Sequence, residues 1–476
     1  MINKHILSSM LLILLISISI WNCNQIKLEI EEKKPNIILF LIDDLGWKDV
    51  GYMGSKFYET PNIDELAKQG MIFTNAYSNA PNCAPSRASL LTGKYSPQHK
   101  IYTVGTSERG RTDRRKLIPI KNNITLDPDH ITIAEILSKN DYRCISIGKW
   151  HLGSLPEYGP TAQGFDYNLA GNHTGHPESY FSPYKNKNLT DGINKEHLPE
   201  RLTSEAIKFI TDNKTNPFFL YLPFYSVHTP LQAKQNIIDK YRKKEKDEFH
   251  NNPTYAAMIE SVDDGIGRIL KHLANLNLDD NTIVIFLSDN GGHGEVTSMS
   301  PLRGSKGMLY EGGIRVPMIV KWTNRIKQNS VCDTNVIGSD LLPTILSLTG
   351  VSTQEDLLID GENLSSLFFK DGNFFREAIY WHFPAYLEGK ARGARDEYFR
   401  TRPGSAIKMG DWKLIEYFED SHLELYNLKE DIEENKNLAD IRPDKKKQLY
   451  NKLVEWRKSL KAPIPKKLNP YFKANN

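Results

Sequence analysis

The sequence predicts an α/β fold in which helices flank a mostly parallel central sheet, followed by a smaller antiparallel sheet. Short apolar runs of the kind that form buried parallel strands recur along most of the chain. Helical patterns separate these runs, as in alternating strand–helix folds. Past about residue 375 the pattern changes to short strand-like runs. The 476 residues are 39% hydrophobic and 25% charged, a globular composition that excludes wholesale disorder.

A principal domain is predicted over residues 35–370. Its first strand is Asn36–Ile42, an apolar run that ends in two aspartates. The later strand candidates are Arg143–Ile147, Phe218–Leu222, Thr282–Leu287 and Ile314–Lys321. The helical patterns between the strands cover Ile63–Gln69, Ile133–Lys139, Leu202–Thr211, Tyr255–Leu276 and Leu341–Leu348.

A C-terminal subdomain is predicted over residues 371–476. Gly410-Asp411 has the composition of a tight turn and separates two of its strand-like runs. A helix over Lys445–Leu460 follows and would cover one face of a small antiparallel sheet. The runs that would form this sheet are Ala378–Phe383, Ser405–Met409, Lys413–Phe418 and His422–Asn427.

The N-terminus has the pattern of an export signal. Lys4 is the one formally charged residue before a stretch, Ile6–Ile20, that is almost wholly apolar or Ser. This stretch is short for a membrane-spanning helix, and Cys23 stands where a bacterial lipoprotein signal is cut and acylated. We predict a signal peptide over residues 1–22, a tether over residues 23–34 and a lipid-anchored protein of the periplasm or cell surface. A plain cleaved signal and a short membrane anchor are the alternatives.

Charge and cysteine content exclude other classes. The net charge of +3 gives no global case for a nucleic-acid partner. Four cysteines cannot form a disulfide scaffold in a chain of this length. If Cys23 is acylated, an odd number of cysteines remains, namely Cys83, Cys144 and Cys332. One of these three is then free or modified.

Acidic side chains follow two of the predicted parallel strands. Asp43 and Asp44 come after the first strand, and Asp289 and Asn290 follow the run Thr282–Leu287. Ligands of open α/β sheets lie beyond the carboxyl ends of the strands. Three carboxylates and an amide oxygen form an all-oxygen set that suits Ca²⁺ or Mg²⁺. The alternative is that each aspartate caps the following helix or turn.

A cysteine is predicted at the start of a helix. In Cys83-Ala-Pro-Ser-Arg87, the proline two positions after the cysteine suits the first turn of a helix that ends near Gly93. The N-terminus of a helix favours anions. From the residues alone, the prediction is a thiol with polar neighbours and a nearby arginine, and an unreactive half-buried cysteine is the alternative.

This cysteine motif resembles the signature of the formylglycine-dependent (type I) sulfatases of the alkaline phosphatase-like superfamily. It continues into Leu91-Thr92-Gly93-Lys94, as the signature does. Further motifs that resemble the family stand in family order at Gly148–Gly153, Val227–Pro230, Asp289–Gly292, Lys306-Gly307 and Glu311–Pro317. The resemblance covers residues 35 to about 430 and implies an alkaline phosphatase-like α/β/α sandwich.

The resemblance implies the chemistry. A maturation enzyme, formylglycine-generating or equivalent, would oxidise Cys83 to formylglycine (3-oxoalanine), whose hydrate attacks the sulfur of a sulfate ester and then expels sulfate. One Ca²⁺ would be held by Asp43, Asp44, Cys83, Asp289 and Asn290.

Roles for the remaining site residues also follow from the resemblance. Lys149 and Lys306 would neutralise the sulfate oxygens. Arg87 and His151 would hold the formylglycine hydroxyls. His228 would protonate the departing alkoxide, since imidazole titrates near neutral pH.

Several segments favour a polyanionic sugar as substrate. The segment His99–Lys121 carries seven Lys or Arg against two acidic residues. Strand segments around Tyr380–Pro384 and Gly404–Lys408 resemble polysaccharide-directed sulfatases. We therefore expect a sulfated polysaccharide or its oligosaccharides, with an algal glycan such as ulvan preferred, and carrageenan, porphyran and glycosaminoglycans left open. Further candidates for sugar contacts are His173, His176, His382, Arg392, Arg395, Arg400 and Arg402.

Two other functions compete with this one. A phosphodiesterase or phosphonate monoester hydrolase of the same superfamily would also use formylglycine. A non-catalytic, lipid-anchored glycan-binding protein would carry an unconverted Cys83. The expected partners are the glycan and the maturation enzyme, with no nucleic acid and with a membrane only through the lipid anchor.

Overall fold

A computed structural model of the chain describes residues 33–154, 156–352, 357–369 and 372–473. The predicted signal peptide, the acylation site at Cys23 and nearly all of the tether lie outside these residues. The described residues from Pro35 onward form one compact unit. Within the described part of the chain, no helix has both the length and the apolar character needed to cross a bilayer.

The larger of the sheets has eight strands in the order β5-β4-β6-β1-β7-β8-β2-β9. In chain order, the strands of the structure are β1 (Asn36–Ile42), β2 (Met71–Phe73), β3 (Ala76–Tyr77), β4 (Arg143–Ile147), β5 (Tyr167–Leu169), β6 (Phe218–Pro223), β7 (Thr282–Ser288), β8 (Met318–Trp322), β9 (Ser330–Cys332), β10 (Val336–Ile337), β11 (Ile379–Phe383), β12 (Leu387–Glu388), β13 (Phe399–Thr401), β14 (Gly404–Met409), β15 (Trp412–Tyr417) and β16 (His422–Asn427). Strand β1 pairs in parallel with β6 and with β7, while β8 runs antiparallel to β7 and β2.

Helices connect these strands. In chain order they are α1 (Pro61–Gln69), α2 (Cys83–Thr92), α3 (Ser96–His99), α4 (Ile133–Ser138), α5 (Leu198–Asp212), α6 (Gln235–Lys243), α7 (Pro253–Asn275), α8 (Glu311–Ile314), α9 (Leu341–Leu348), α10 (Ser365–Phe368) and α11 (Pro443–Ser459).

The central strand shows why this order forms a sandwich. Successive side chains of a strand point to opposite faces. Ile38 and Phe40 of β1 lie in a core with residues of α1, α5 and α7, whereas Ile37 and Leu39 lie in a second core with residues of α2, α4 and α9. Helices therefore cover both faces of the sheet, as expected for a parallel sheet whose strands are apolar throughout.

A second sheet lies toward the C-terminus. Its strands run antiparallel in the order β11-β14-β15-β16. One face packs on helix α11, where Leu449 and Leu453 contact Ile407 and Leu414. The other face packs in a separate core with residues from earlier in the chain, such as Tyr77.

The predicted fold class is confirmed, with one strand placed wrongly. The run Ile314–Lys321 was expected to be continuous, but Glu311–Ile314 forms a short helix and the strand starts at Met318. Pro317 explains the later start, because proline has no N–H for the sheet ladder and restricts the residue before it.

Candidate active site

Four parallel strands deliver polar side chains to one edge of the large sheet. Asp43 and Asp44 follow β1, Lys149 follows β4, His228 follows β6, and Asp289 follows β7. These strands are neighbours in the sheet, so their carboxyl ends lie side by side. All five residues come together there with contacts of hydrogen-bond or ion-pair length.

Backbone hydrogen bonds fix the aspartates after β1. The Asp43 N–H donates to the carbonyl of Ser226 at 3.0 Å, and the Val227 N–H donates to the carbonyl of Asp43 at 2.8 Å. Asp44 has a positive φ of 61°, and its N–H donates to Asp289 Oδ1 at 3.2 Å. None of these contacts is a helix cap, so the capping alternative does not describe these aspartates.

Cys83 is the first residue of α2 and is buried with the rest of that helix. Its Sγ and carboxylate oxygens of Asp43 and Asp289 lie within 4.8 Å of one another. A second group of the same compactness joins Sγ to Asp44 and a ring nitrogen of His228. The thiol therefore lies among the acidic side chains.

Arg87 lies one turn further along α2 and has no exposed surface. Its Nη2 forms an ion pair with Asp289 Oδ2 at 2.7 Å, and its Nη1 donates to the carbonyl of Lys149 at 2.9 Å. Burial alone would lower the pKa of Arg87, but Asp289 outweighs it and raises that pKa above its usual value. Arg87 therefore joins α2 to the ends of β4 and β7 as a permanent cation.

Two lysines hold the aspartates that follow β1. Lys149 Nζ lies 2.6 Å from Asp43 Oδ2, and Lys306 Nζ lies 2.7 Å from Asp44 Oδ1. The Lys306 N–H donates to the carbonyl of Gly292, which fixes its loop against the end of β7. Each lysine thus places a positive charge at the site from a different segment of the chain.

Two histidines complete the predicted set. His228 Nε2 lies 3.6 Å from Asp44 Oδ2, and its Nδ1 lies 2.7 Å from the carbonyl of Thr229, a contact in which Nδ1–H is the donor. The ring of His176 stacks on that of His228 with centroids 6.3 Å apart. His151 has a buried Nδ1 without a hydrogen-bond partner among the described residues.

Burial and neighbouring charges shift the pKa values of several site residues. Burial raises the pKa of Asp43 to about 7, against the opposing effect of Lys149. Burial also raises the pKa of Asp44, but Lys306 and His228 outweigh it and hold that pKa below its usual range. Burial raises the pKa of the Cys83 thiol to about 11. Burial and Lys306 lower the pKa of His228 to about 3.

The donor atoms fit a hard divalent cation. Asp43 Oδ1 and Asn290 Oδ1 are buried and accept no hydrogen bond from any residue that the structure describes. Buried acceptors are normally satisfied, and these two lie in a set of three carboxylates and one amide. Oxygen ligands of this kind suit Ca²⁺ or Mg²⁺ better than Zn²⁺.

The predicted sugar-contacting residues do not all reach this site. His382 is buried, and its ring bonds to Ser405 and to the carbonyl of Pro463, so it is part of the interior. Arg395 forms an ion pair with Asp420, and Arg402 forms one with Asp396, so both charges are balanced. Arg400, in contrast, donates from Nη1 to the carbonyl of Lys306 at 3.4 Å.

Sequence reasoning missed two sets of residues near the site. His293 follows the Asp289–Gly292 motif directly, and burial lowers its pKa although Asp44 opposes this. Its place in the sequence could have drawn attention to it. Buried Asp49 accepts hydrogen bonds from the Gly46 N–H and the Tyr255 hydroxyl, which also donates to the carbonyl of Asp44.

Comparison with known proteins shows which family the chain belongs to. The family model described as Sulfatase matches residues 35–351, which is more than half of the chain. The chain belongs to the sulfatase family. This sulfatase also matches, over residues 305–461, the model described as N-sulphoglucosamine sulphohydrolase, C-terminal. Family membership identifies the protein as a sulfuric ester hydrolase.

Relatives match the sulfatase along most of its length. It is 33% identical to a sulfatase of Formosa agariphila, over 89% of both chains. It is also 33% identical to mouse N-acetylgalactosamine-6-sulfatase, over 80% of this chain and 71% of the mouse protein. The solved structure of Ps i-CgsB in complex with k-i-k-neocarrahexaose is similar with a TM-score of 0.75 and 31% identity, over 92% of this chain and 95% of that one.

Proposed function

We propose that this sulfatase removes sulfate esters from a sulfated polysaccharide or its oligosaccharides, through a formylglycine made from Cys83 and with Ca²⁺. The observation that carries the proposal is the position of Cys83. Its Sγ lies with carboxylate oxygens of Asp43 and Asp289 within 4.8 Å of one another, at the start of a buried helix. A non-catalytic glycan-binding protein has no evident use for a buried thiol among these charges.

The chemistry of the thiol supports its conversion. With a pKa raised by burial to about 11, the Cys83 thiol stays protonated at neutral pH and is a weak nucleophile. Oxidised to formylglycine, residue 83 supplies a hydrated aldehyde that serves as nucleophile and as the group that later releases sulfate. Arg87 and His151 would orient the hydroxyls of this residue, since Arg87 lies on the same helix and its charge reaches His151.

The oxygen set would hold Ca²⁺. Asp43, Asp44, Asp289 and Asn290 would be its protein ligands, and two of their oxygens accept no hydrogen bond in the described structure. When bound, the cation would polarise a sulfate oxygen. It would also relieve the repulsion among three carboxylates, which contributes to the raised pKa of Asp43.

The lysines would bind the sulfate group. Lys149 and Lys306 lie in ion pairs with Asp43 and Asp44, so their ammonium groups already stand at the edge of the site. A sulfate ester that enters would give both lysines a second anionic partner. Positive groups fixed in a buried site stabilise negative charge that develops in the transition state, and they do so without reorganising.

His228 would donate a proton to the departing sugar oxygen. Its Nδ1–H bonds to the carbonyl of Thr229, so Nε2 is the atom that would carry the transferred proton. In the site without substrate, burial and Lys306 lower its pKa to about 3 and the ring is neutral. An anionic ester between Lys306 and His228 offsets the charge of the lysine, which raises the pKa of His228 as the substrate binds.

The relatives support a sugar substrate. One is an N-acetylgalactosamine-6-sulfatase, and a solved relative holds a neocarrahexaose. We propose an algal sulfated polysaccharide, with ulvan or a carrageenan-type galactan as the class to test first. Export through the predicted signal, acylation at Cys23 and conversion of Cys83 by a maturation enzyme belong to the same proposal.

Sulfate release from defined oligosaccharides tests the function. The mature enzyme, produced with its maturation enzyme and Ca²⁺, is incubated with ulvan, carrageenan and glycosaminoglycan oligosaccharides and with a phosphodiester. We expect sulfate from at least one glycan and turnover of the phosphodiester at least 100-fold slower. A preference for the phosphodiester would favour the alternative function, a phosphodiesterase or phosphonate monoester hydrolase. The phosphonate monoester hydrolase of Agrobacterium radiobacter has the same fold as this chain, with 18% identity and a TM-score of 0.66.

A further inference from the structure

An arginine that forms no ion pair with any described acidic residue lies beside Lys306. Arg400 is the central residue of β13 and is half-buried. Its Nη1 donates to the carbonyl of Lys306 at 3.4 Å, and its Nε is buried without a hydrogen-bond partner among the described residues. If a side chain were added to Gly307, its Cβ would lie 2.7 Å from Cδ of Arg400, so the glycine after Lys306 leaves room for this arginine.

The neighbouring arginines of the C-terminal subdomain differ from Arg400. Arg395 forms an ion pair with Asp420, and Arg402 pairs with Asp396 at 2.6 Å and with Glu419. Glu388 is affected by the charge of Arg400, but that carboxylate pairs with Arg109 at 2.8 Å.

Leaving a guanidinium half-buried and without a carboxylate is unfavourable. In an enzyme whose substrates are anions, an anionic group of the substrate commonly serves as the partner of such an arginine. The planar fork of an arginine also suits sulfate and carboxylate groups, to which it donates two parallel hydrogen bonds.

A second polar group faces the same region. His293 lies on the segment that follows Asp289 and Asn290, and its Nδ1 is buried without a hydrogen-bond partner in the described parts of the chain. The Lys306 N–H donates to the carbonyl of Gly292 at 3.0 Å, so the residue before His293 is hydrogen-bonded directly to Lys306. Burial lowers the pKa of His293, although Asp44 opposes this. A neutral imidazole can donate one hydrogen bond to an anion.

We infer that Arg400 and His293 form a second anion subsite, which binds a further sulfate or carboxylate of the sugar next to the sulfate ester that is hydrolysed. The inference rests on the proposed function, because it assumes that Lys306 binds the ester sulfate. Arg400 comes from the C-terminal subdomain and Lys306 from the principal domain, so the two subdomains together select the substrate. The substrate class is then a glycan with two anionic groups close together, rather than one with an isolated sulfate.

Matched ligands test the subsite. The pair is a κ-carrageenan and an ι-carrageenan oligosaccharide of equal length, which differ by one sulfate ester in each repeating disaccharide. A second pair is D-glucosamine 6-O-sulfate and D-glucosamine 2-N,6-O-disulfate. The protein is compared with Arg400→Gln and with Arg395→Gln, a matched control that removes a nearby arginine whose charge Asp420 already balances.

Binding and turnover are measured separately. In the Cys83→Ser background, calorimetry gives the dissociation constant of each ligand without hydrolysis. We expect the parent protein to bind the doubly charged member of at least one pair about 10- to 100-fold more tightly, and Arg400→Gln to lose that preference. Arg395→Gln should keep the preference within about threefold. In enzyme that carries formylglycine at residue 83, kcat/KM is measured for the ligand pair that the enzyme hydrolyses. It should be higher for the doubly charged member in the parent protein and in Arg395→Gln, but not in Arg400→Gln.

The outcomes separate the two proposals. If the enzyme releases sulfate but Arg400→Gln keeps the preference, or weakens both members of a pair equally, the subsite is wrong and the proposed function stands. If no glycan yields sulfate, the proposed function fails, and the binding data alone decide on the subsite. A parent protein that shows no preference in either pair contradicts the subsite in every case.

Discussion

At the scale of single residues, His228 has a role that its surroundings make testable. A proton donor matters when the leaving oxygen is a poor leaving group, as in a sugar alcohol, and matters little for a nitrophenol. We expect His228→Ala to lower kcat for a sulfated oligosaccharide by about 10²- to 10⁴-fold. Hydrolysis of 4-nitrophenyl sulfate by the same variant should fall by less than about tenfold.

Steady-state kinetics on both substrates checks this role. The His176→Ala variant is the control, because it removes the exposed ring that stacks on His228 and leaves the bond from His228 to Thr229 in place. An equal loss on both substrates in His228→Ala would mean that the histidine binds sulfate or supports the fold, and does not donate the proton.

The acidic residues predict a response to Ca²⁺. Burial and the nearby carboxylates of Asp289 and Asp44 raise the pKa of Asp43 to about 7. A divalent cation bound among these carboxylates would offset their mutual repulsion and should therefore stabilise the fold. At a Ca²⁺ concentration 100-fold above the dissociation constant, the gain is about 2.7 kcal/mol. We expect chelation to lower the thermal midpoint of the protein, and Ca²⁺ to restore it.

The Asp43→Asn variant should lose most of this response. The amide keeps one oxygen but removes a negative charge from the set. Asp129→Asn, at an exposed aspartate, is the control and should respond as the parent does. A parent protein whose midpoint is the same with chelator and with millimolar Ca²⁺ would rule out a calcium site at these residues.

At the scale of elements, the end of β4 depends on a glycine. Gly148 has a φ of 125°, and a Cβ at this position would lie 2.0 Å from the carbonyl oxygen of Pro223 at the end of β6. The next residue, Lys149, donates its N–H to the same oxygen. Any side chain at residue 148 therefore forces the two strand ends apart and moves Lys149.

We expect Gly148→Ala to destabilise the fold by roughly 2–4 kcal/mol and to abolish most sulfate release. Gly410→Ala is the matched control, because Gly410 has a φ of 58° but no atom within 4 Å of the added Cβ. It should cost about 1–2 kcal/mol for its backbone conformation alone and keep its activity. Thermal unfolding and sulfate release on both variants check this, and equal losses of activity would contradict it.

Local patterns in the sequence predicted the long central elements, but not the short strands β2, β5 and β9. β1 and β7 are apolar on both faces, and proline near the start of α2 marks its N-terminus, so the strand ends and the position of Cys83 follow from short stretches of chain. The contact of Arg400 with Lys306 joins residues 94 positions apart, and the bond from Tyr255 to Asp49 spans 206 positions. No short pattern contains such contacts, because the packing of distant segments creates them.

At the scale of the whole molecule, a buried ionic cluster joins the C-terminal antiparallel sheet to helix α8. Lys413 on β15 has no exposed surface, and its Nζ lies 2.9 Å from Glu311 and 2.9 Å from Glu434. Glu434 also accepts a hydrogen bond from the Glu311 N–H at 2.7 Å, at the start of α8. Burial raises the pKa of Glu434 to about 7, although Lys413 opposes this.

This cluster predicts a pH dependence of stability. Because the folded pKa of Glu434 is above that of an unfolded chain, the folded protein holds a proton that the unfolded chain releases at lower pH. The contribution of Glu434 to the free energy of unfolding therefore decreases as the pH rises from about 4.5 to about 7, and it is constant above that. We expect Glu434→Gln to lack this decline, which is on the order of 1–3 kcal/mol between pH 5 and 8.

Thermal midpoints at several pH values between 5 and 8 test the prediction. Glu430→Gln, four residues away at an exposed position, is the control and should follow the parent protein. If Glu434→Gln and the parent lose stability in parallel as the pH rises, the cluster does not titrate in this range.

The central claim is that Cys83 becomes the aldehyde that attacks the sulfate ester. The most direct measurement is mass spectrometry of the peptide that spans residue 83, taken from enzyme that releases sulfate, with hydroxylamine to trap an aldehyde. We predict a peptide in which the thiol is replaced by an aldehyde, and a sulfate-release rate that rises with the converted fraction. An active enzyme whose residue 83 is entirely an unmodified thiol would contradict the account.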